Sequence, residues 1–309
     1  MRPNLSNRLR ILSANVQKSR AAQESILESA ASLKAEVICL QEPWLINDVT
    51  REKTATLRGY RTLAPINTWG DREQRPRVLT LLRDTIKIAR TSEEGHPDVL
   101  GLLIELEDGR TIDILNIYNA GANSSRAREA ERLIRARPIY QNSVYLGDFN
   151  LHHPLWDSRY SRLDDTAIPL AEWALRNNLV FLNNPELATH IRGNVLDLGI
   201  ISNNLNAAAQ LDIRYDLATG ADHYPLECTL DFKPRRQGTS GFRDADKVDA
   251  DAISREGARL RNSLKEKLAN TLLSTIEGCD SLVDSLEDLI LALLNKIAKR
   301  KPGPLKGNI

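Results

Sequence analysis

Leu146-Gly147-Asp148-Phe149-Asn150 is the stretch on which the reading of this chain turns. An apolar lead-in delivers an acid and an amide, two residues apart, to a strand end. Successive strand side chains alternate faces, so Asp148 and Asn150 project together while Phe149 points back into the core. An acid that takes a proton, beside an amide that donates hydrogen bonds without adding charge, suits attack on a phosphate whose oxygens gain negative charge. The same five residues also fit ordinary strand-ending turn chemistry, with Asp148 and Asn150 as local caps.

Outward from this stretch, strand-like and helix-like runs alternate. Residues 10–16 read as a strand, 21–34 as an amphipathic helix, and 37–41 as a buried strand ending at Glu42-Pro43. Strands are expected at 78–82, 85–90, 100–105 and 111–118, a charged surface helix at 125–137, and a strand at 144–149. After Ile168-Pro169, residues 170–177 read as a helix that stops at Asn177-Asn178. Short strands are expected at 179–182, 196–201, 212–215 and 226–232. Many short strands with few long helices between them point to an α/β protein, a four-layer sandwich of two packed mixed β-sheets flanked by helices.

Composition changes at Lys233-Pro234-Arg235-Arg236. Residues 1–232 therefore read as the main domain, 233–248 as a polar linker, and 249–309 as a helical appendage with a basic tail. In that appendage Leu260, Leu264, Leu268, Leu272 and Ile276 form one apolar stripe, and Leu282, Leu286, Ile290, Leu293 and Ile297 form another. The stripes fit a helical hairpin that packs on itself, on the main domain or on a partner chain.

With 309 residues, 41% hydrophobic and 27% charged, the chain can bury a substantial core. Its three cysteines are too few and too scattered for a disulfide framework or a cysteine-based zinc site. No run reaches the roughly 20 apolar residues of a membrane span, and the polar start lacks the apolar region of a secretory signal. An intracellular protein with no membrane contact is expected. A formal net charge of +1 neither supports nor excludes a nucleic-acid partner, because metal-binding carboxylates offset local basic patches.

Five further polar positions sit where a strand ends or a turn begins, which is where α/β scaffolds place chemistry. They are Asn15 in Ser13-Ala14-Asn15-Val16, Glu42 in Gln41-Glu42-Pro43-Trp44, Tyr118 after Asn116-Ile117, Asp197 in Leu196-Asp197-Leu198, and Asp222-His223 before the last strand. Taken singly, each is as readily a cap, a strand aromatic, an edge charge or a loop residue. Taken together, in this order, they resemble the endonuclease/exonuclease/phosphatase superfamily. More narrowly, Asn150-Leu151-His152-His153-Pro154-Leu155-Trp156 and Thr189-His190 are similar to the apurinic-type endonuclease domain of non-LTR (LINE-type) retrotransposons. The resemblance covers roughly residues 8–232.

The resemblance implies a DNase I-like fold and a metal-dependent DNA endonuclease that nicks target DNA and leaves a 3′-hydroxyl. It makes Glu42 the main ligand of a divalent ion, with Asn15 and Asp222 close to it, and an all-oxygen set favours Mg²⁺, with Mn²⁺ as the alternative. Asp148 would orient or deprotonate the attacking water, and Asn150 would hydrogen-bond the phosphoryl oxygens. His223 would bind or protonate the phosphate, steadied by Asp197, and Tyr118 would donate its hydroxyl to the same group. Arg72, Arg75, Arg77 and His152 are the expected DNA contacts, with bracing of the Pro154 turn favoured for the two adjacent histidines. Ala221 stands where the family often has Ser.

Nuclear action is implied by the family. A reverse transcriptase usually follows such a domain, so a fragment or decayed copy of a longer element is expected, with the C-terminal helices meeting a polymerase or another protein. Two other functions remain open: a same-fold phosphatase or phosphodiesterase acting on phosphoinositide, lipid or RNA, and a non-catalytic binding protein.

Overall fold

The computed structural model describes residues 8–46, 54–66, 75–92, 95–106, 109–160, 165–217 and 219–232. Arg72, the expected linker and the expected C-terminal helices lie outside the described residues. No helix among the described residues is long and apolar enough to cross a membrane.

Two six-stranded sheets form the body. The first contains β1 (Arg8–Asn15), β2 (Val37–Gln41), β3 (Tyr60–Leu63), β4 (Val78–Arg83), β11 (Ala209–Ile213) and β12 (Leu226–Asp231), in the order β11-β12-β1-β2-β4-β3. The second contains β5 (Lys87–Ser92), β6 (Val99–Glu105), β7 (Thr111–Tyr118), β8 (Ser143–Asp148), β9 (Leu179–Phe181) and β10 (Asp197–Ser202), in the order β5-β6-β7-β8-β10-β9. β1 and β2 run parallel, as do β7 and β8, while the other neighbours are antiparallel, so both sheets are mixed. Parallel pairs need a crossover, and α1 (Arg20–Leu33) and α2 (Glu129–Ala136) lie on the two connections.

Side-chain alternation explains the layering. On β1, Leu9 and Ile11 face the gap between the sheets while Leu12 and Ala14 face α1. On β2, Val37 and Cys39 enter the gap, and Ile38 and Leu40 pack with Ala22, Ile26, Leu27 and Ala30 of α1. β7 sends Ile112 and Ile114 into the gap and Leu115 and Ile117 toward α2 and α3 (Ile168–Arg176). Strands covered on both faces need near-continuous apolar runs, which is why β2 reads Val-Ile-Cys-Leu. The result is the four-layer order of helix, sheet, sheet and helix.

Three elements differ from the sequence expectation. β3 was not foreseen, because its edge position and half-exposed side chains leave no apolar alternation. The helix expected from 125 starts only at Glu129, because turns closed by Ser124 N–H to Gly121 O and Ala127 N–H to Ser124 O precede it and Arg128 sits at φ +66°. The strand expected at 212–215 begins at Ala209, directly after a 3₁₀ turn, Asn203–Ala208.

A polar tie crosses the gap. Asn116 on β7 is fully buried; its Nδ2 donates to Leu79 O at 2.8 Å and Leu40 O at 3.2 Å, and its Oδ1 accepts from Gln41 Nε2 at 2.6 Å. Gln41 Nε2 also donates to Ser13 Oγ at 3.1 Å. These bonds cross-link β7 to β1, β2 and β4 at one level of the core. Asn116→Leu would leave several buried groups unpaired, so it should destabilise the domain by about 3 kcal/mol. A urea midpoint equal to that of the wild type would contradict this.

Candidate active site

The inward-facing rows of four central strands turn from apolar to polar toward the same end of the gap. On β1, Ile11 gives way to Ser13 and Asn15; on β2, Cys39 to Gln41; on β7, Ile114 to Asn116 and Tyr118; on β8, Leu146 to Asp148. Antiparallel β10 brings Asp197 in opposite Asp148, its Cα partner. The strand ends thus deliver their polar side chains to one mouth.

Asp148 lies at the centre and is 1% exposed. Its Oδ2 accepts from Asn15 Nδ2 at 2.9 Å, across the two sheets, and from Asn150 Nδ2 at 2.8 Å, while its Oδ1 accepts from Asn150 N–H at 3.1 Å. Burial and the neighbouring Asp197 push its carboxyl well above the usual range. Asn150, at φ +48°, also donates through Nδ2 to Asn119 O at 3.0 Å. Both N–H bonds of its amide are therefore engaged within the chain, which makes it a clamp on Asp148 rather than a group turned outward.

His223 Nδ1 meets Asp197 Oδ2 at 2.8 Å, and its Nε2 stands 3.9 Å from Asp148 Oδ2 and 3.6 Å from Asp222 Oδ1. Burial works against the imidazolium, but the charge and hydrogen bond of Asp197, with Asp148 and Asp222 behind it, hold its pKa above the ordinary value. Asp197 is itself pinned: its N–H and that of Leu196 both donate to Thr189 Oγ1, at 3.0 and 2.9 Å. Tyr224 N–H to Thr189 O and Ile191 N–H to Asp222 O lace the His190 loop to the His223 loop. Arg192 N–H donates to His190 Nδ1 at 3.1 Å, so the proton of the neutral ring sits on Nε2, 3.2 Å from Asp222 Oδ2.

Glu42, at φ +45°, accepts the Tyr118 hydroxyl on Oε1 at 3.1 Å and faces Lys18 Nζ at the same distance. Burial, Glu42 and Asp148 raise the Tyr118 phenol, keeping it a neutral donor. Gln17 and Lys18, both at positive φ, knot the expected cation ligands together. Gln17 N–H donates to Asn15 Oδ1 at 3.0 Å, Asp222 N–H donates to Gln17 Oε1 at 3.2 Å, and Lys18 N–H donates to Glu42 O at 2.7 Å. Sequence reading missed both residues; two polar residues directly after Asn15 and before the Ser19 cap were the available signal.

The oxygen donors fit a hard divalent ion. Asp222 Oδ1 is buried without a hydrogen-bond partner, and Glu42 Oε1 already collects a cationic group. Among the described residues, two Asp/His groups have ligand atoms within 4.8 Å of one another, His190–Asp222–His223 and Asp148–Asp197–His223. Glu42 belongs to neither; the knot at Gln17 and Lys18 ties its strand end to Asn15 and Asp222.

Residues 112–227 match a family model described as endonuclease-reverse transcriptase. The endonuclease domain of TRAS1, a telomere-specific non-LTR retrotransposon, superimposes with a TM-score of 0.61 at 16% identity, covering 74% of this chain and 100% of that one. The two-sheet fold is shared with that endonuclease domain. An AP endonuclease from Leishmania major, with a TM-score of 0.53, and the Xenopus laevis APE2 catalytic domain, with 0.54, are also similar. Each is 16% identical over 72% of this chain, covering 88% and 92% of its own. No curated protein matches the sequence. The chain thus resembles the endonuclease domain of a non-LTR retrotransposon in fold, with its motifs from β7 to β12 inside the matched family region.

A cleft of about 680 Å³ opens beside Glu42, with Lys18, Trp44, Arg75, Arg77, Ser124 and Arg126 among its lining. Arg77 grips buried Asp98 through both ends of its guanidinium and lies over the Tyr118 ring, 5.0 Å from its centroid. It therefore acts first on Tyr118, whereas Arg75 lines the cleft and its Nε lacks a protein partner. His153 stacks on buried Trp156 at 5.0 Å and accepts Leu155 N–H at 3.1 Å, bracing the turn. His152 stacks on Tyr160 at 4.7 Å, with its Nδ1 unpartnered.

Gly147 is the hinge of the motif. At φ +146°, a Cβ there would stand 1.8 Å from Ile117 O. Gly147→Ala must push β8 off β7, and should destabilise the protein by about 3 kcal/mol or more. An unchanged thermal midpoint for that variant would contradict the close approach.

Proposed function

We propose that the chain is a metal-dependent phosphodiesterase, acting as a DNA endonuclease that nicks target DNA in the manner of a non-LTR retrotransposon enzyme. One observation carries the reading: a carboxylate-held imidazole, His223 on Asp197, faces a second buried carboxyl, Asp148, 3.9 Å away at the mouth where Asn15, Glu42 and Tyr118 also end.

The roles follow from the partners. Asp148, raised in proton affinity and clamped by Asn15 and Asn150, takes a proton from water as the water oxygen bonds to phosphorus. The P–O3′ bond breaks, the departing O3′ takes a proton from solvent, and a 3′-hydroxyl and a 5′-phosphate result. His223, kept protonated by Asp197, donates to a non-bridging oxygen, and the Tyr118 hydroxyl, oriented by Glu42 and Arg77, is placed to do the same. Asn150 serves this step by holding Asp148. Glu42, with Asn15 and Asp222, would hold a divalent ion, Mg²⁺ or Mn²⁺, which would supply positive charge to the phosphate and the leaving oxygen.

The choice of DNA is supported by the cationic lining of the cleft, Lys18, Arg75 and Arg126, and by the fold shared with the TRAS1 endonuclease domain and two apurinic-type enzymes. Arg75 and His152 are the proposed strand contacts, and nuclear action belongs to the same proposal. The full chain should convert supercoiled plasmid to open circles with Mg²⁺ and not with chelator. Asp148→Ala and His223→Ala should each lower that rate by about 10²–10⁴-fold while the circular dichroism spectrum is kept. Nicking at the wild-type rate by either variant would refute the assignment, and turnover confined to phosphoinositide or lipid substrates would move the protein to another branch of the fold.

A further inference from the structure

The geometry points to Lys18 as a built-in counter-cation of Glu42 that an incoming divalent ion must displace. This rests on Glu42 being a cation ligand, and goes beyond it in giving the protein its own competitor for the ion.

Glu42 Oε1 is met at 3.1 Å by the Tyr118 hydroxyl and at 3.1 Å by Lys18 Nζ. The Glu42 side chain is only 18% exposed, so its charge is partly desolvated, and the ammonium offsets that charge when no ion is bound. The pairing is built in by the backbone. Lys18 N–H donates to Glu42 O at 2.7 Å, Lys18 lies at φ +58° and Glu42 at φ +45°, and Glu42 N–H donates to Arg77 O at 2.8 Å. The Lys18 Cα therefore stays beside the Glu42 main chain whatever the side chain does.

A hard divalent ion binds carboxylate oxygen at about 2.0–2.5 Å, inside the space the ammonium uses, and a single positive charge a few ångströms from a double one repels it even where solvent screens part of the charge. Ion and ammonium thus compete for the same carboxylate. The Lys18 side chain can yield: it is 70% exposed, its four-carbon stem is flexible, and it lines the cleft with Arg75, Arg77 and Arg126, where a phosphate would receive its charge. Displacement by the ion turns Lys18 from a partner of Glu42 into a further cation for a polyanion, so ion and strand favour each other's binding.

The test is direct Mn²⁺ binding to the full chain without nucleic acid, by calorimetry and by the electron paramagnetic resonance of free Mn²⁺. Lys18→Met should bind Mn²⁺ about tenfold more tightly than the wild type, and Lys18→Gln should follow it, whereas Lys18→Arg should bind no more tightly than the wild type. In melting experiments Lys18→Met should gain more from Mn²⁺ than the wild type gains, while showing no advantage in chelator. Equal or weaker Mn²⁺ binding by both neutral variants, or no binding by any of the proteins, would overturn the proposal. A protein that binds Mn²⁺ in this pattern yet nicks no plasmid would keep the counter-cation and lose the nuclease assignment.

Discussion

The hydrogen bond from Asn15 Nδ2 to Asp148 Oδ2, 2.9 Å long between residues 133 apart in sequence, is the contact around which the rest is arranged. It joins the end of β1 in one sheet to the end of β8 in the other, so it forms only when the two sheets pack in register. Both groups are almost fully buried, at 2% and 1% exposure, and a buried carboxyl without donors would be strongly disfavoured. The Asn116–Gln41–Ser13 tie links β7, β2 and β1 beside it and sets the same spacing. The core is therefore closed at this end by polar groups that satisfy one another, and the same groups form the candidate site.

Local strain gathers at that end. Gln17, Lys18, Glu42 and Asn150, none of them glycine, all adopt positive φ where strands turn out of the sheets. Such conformations are disfavoured and persist only where the surroundings impose them. Here the imposing bonds are identifiable: Val16 N–H to Gln41 O, Lys18 N–H to Glu42 O, Glu42 N–H to Arg77 O, and Asn150 N–H to Asp148 Oδ1. The turns after β1 and β2 hold each other, which presents Asn15 and Glu42 side by side without a long loop.

A ring of supporting residues fixes the orientation of the chemical groups. Thr189 pins the start of β10 and hence Asp197, which in turn sets the His223 ring. Asn119 N–H donates to Asp148 O at 2.7 Å and its Nδ2 to Phe149 O at 2.8 Å, holding the turn that carries Asn150. Arg77, anchored on Asp98, lies over Tyr118. These side chains do little chemistry themselves; they remove the freedom that would blur distances of about 3 Å.

Much of this was legible in the chain itself, because strand periodicity is local. The apolar or alternating runs of β1, β2, β7, β8 and β12 announced strands, and polar residues at strand ends, Asn15, Glu42, Tyr118 and Asp148, announced a site. Edge strand β3, the late start of α2 and the shift of β11 were not legible, because half-exposed edges and turn-rich approaches carry no clear period. The partners of each side chain were hidden for a different reason. That Asn150 clamps Asp148, that Arg77 serves Asp98 and Tyr118, and that Lys18 sits on Glu42 depend on contacts between residues 2 to 41 positions apart, and only the packing of the sheets and turns selects among them. Sequence determined which strands form and which end of each is polar; tertiary structure decided which polar atom meets which, since distance and burial exist only once the two sheets close.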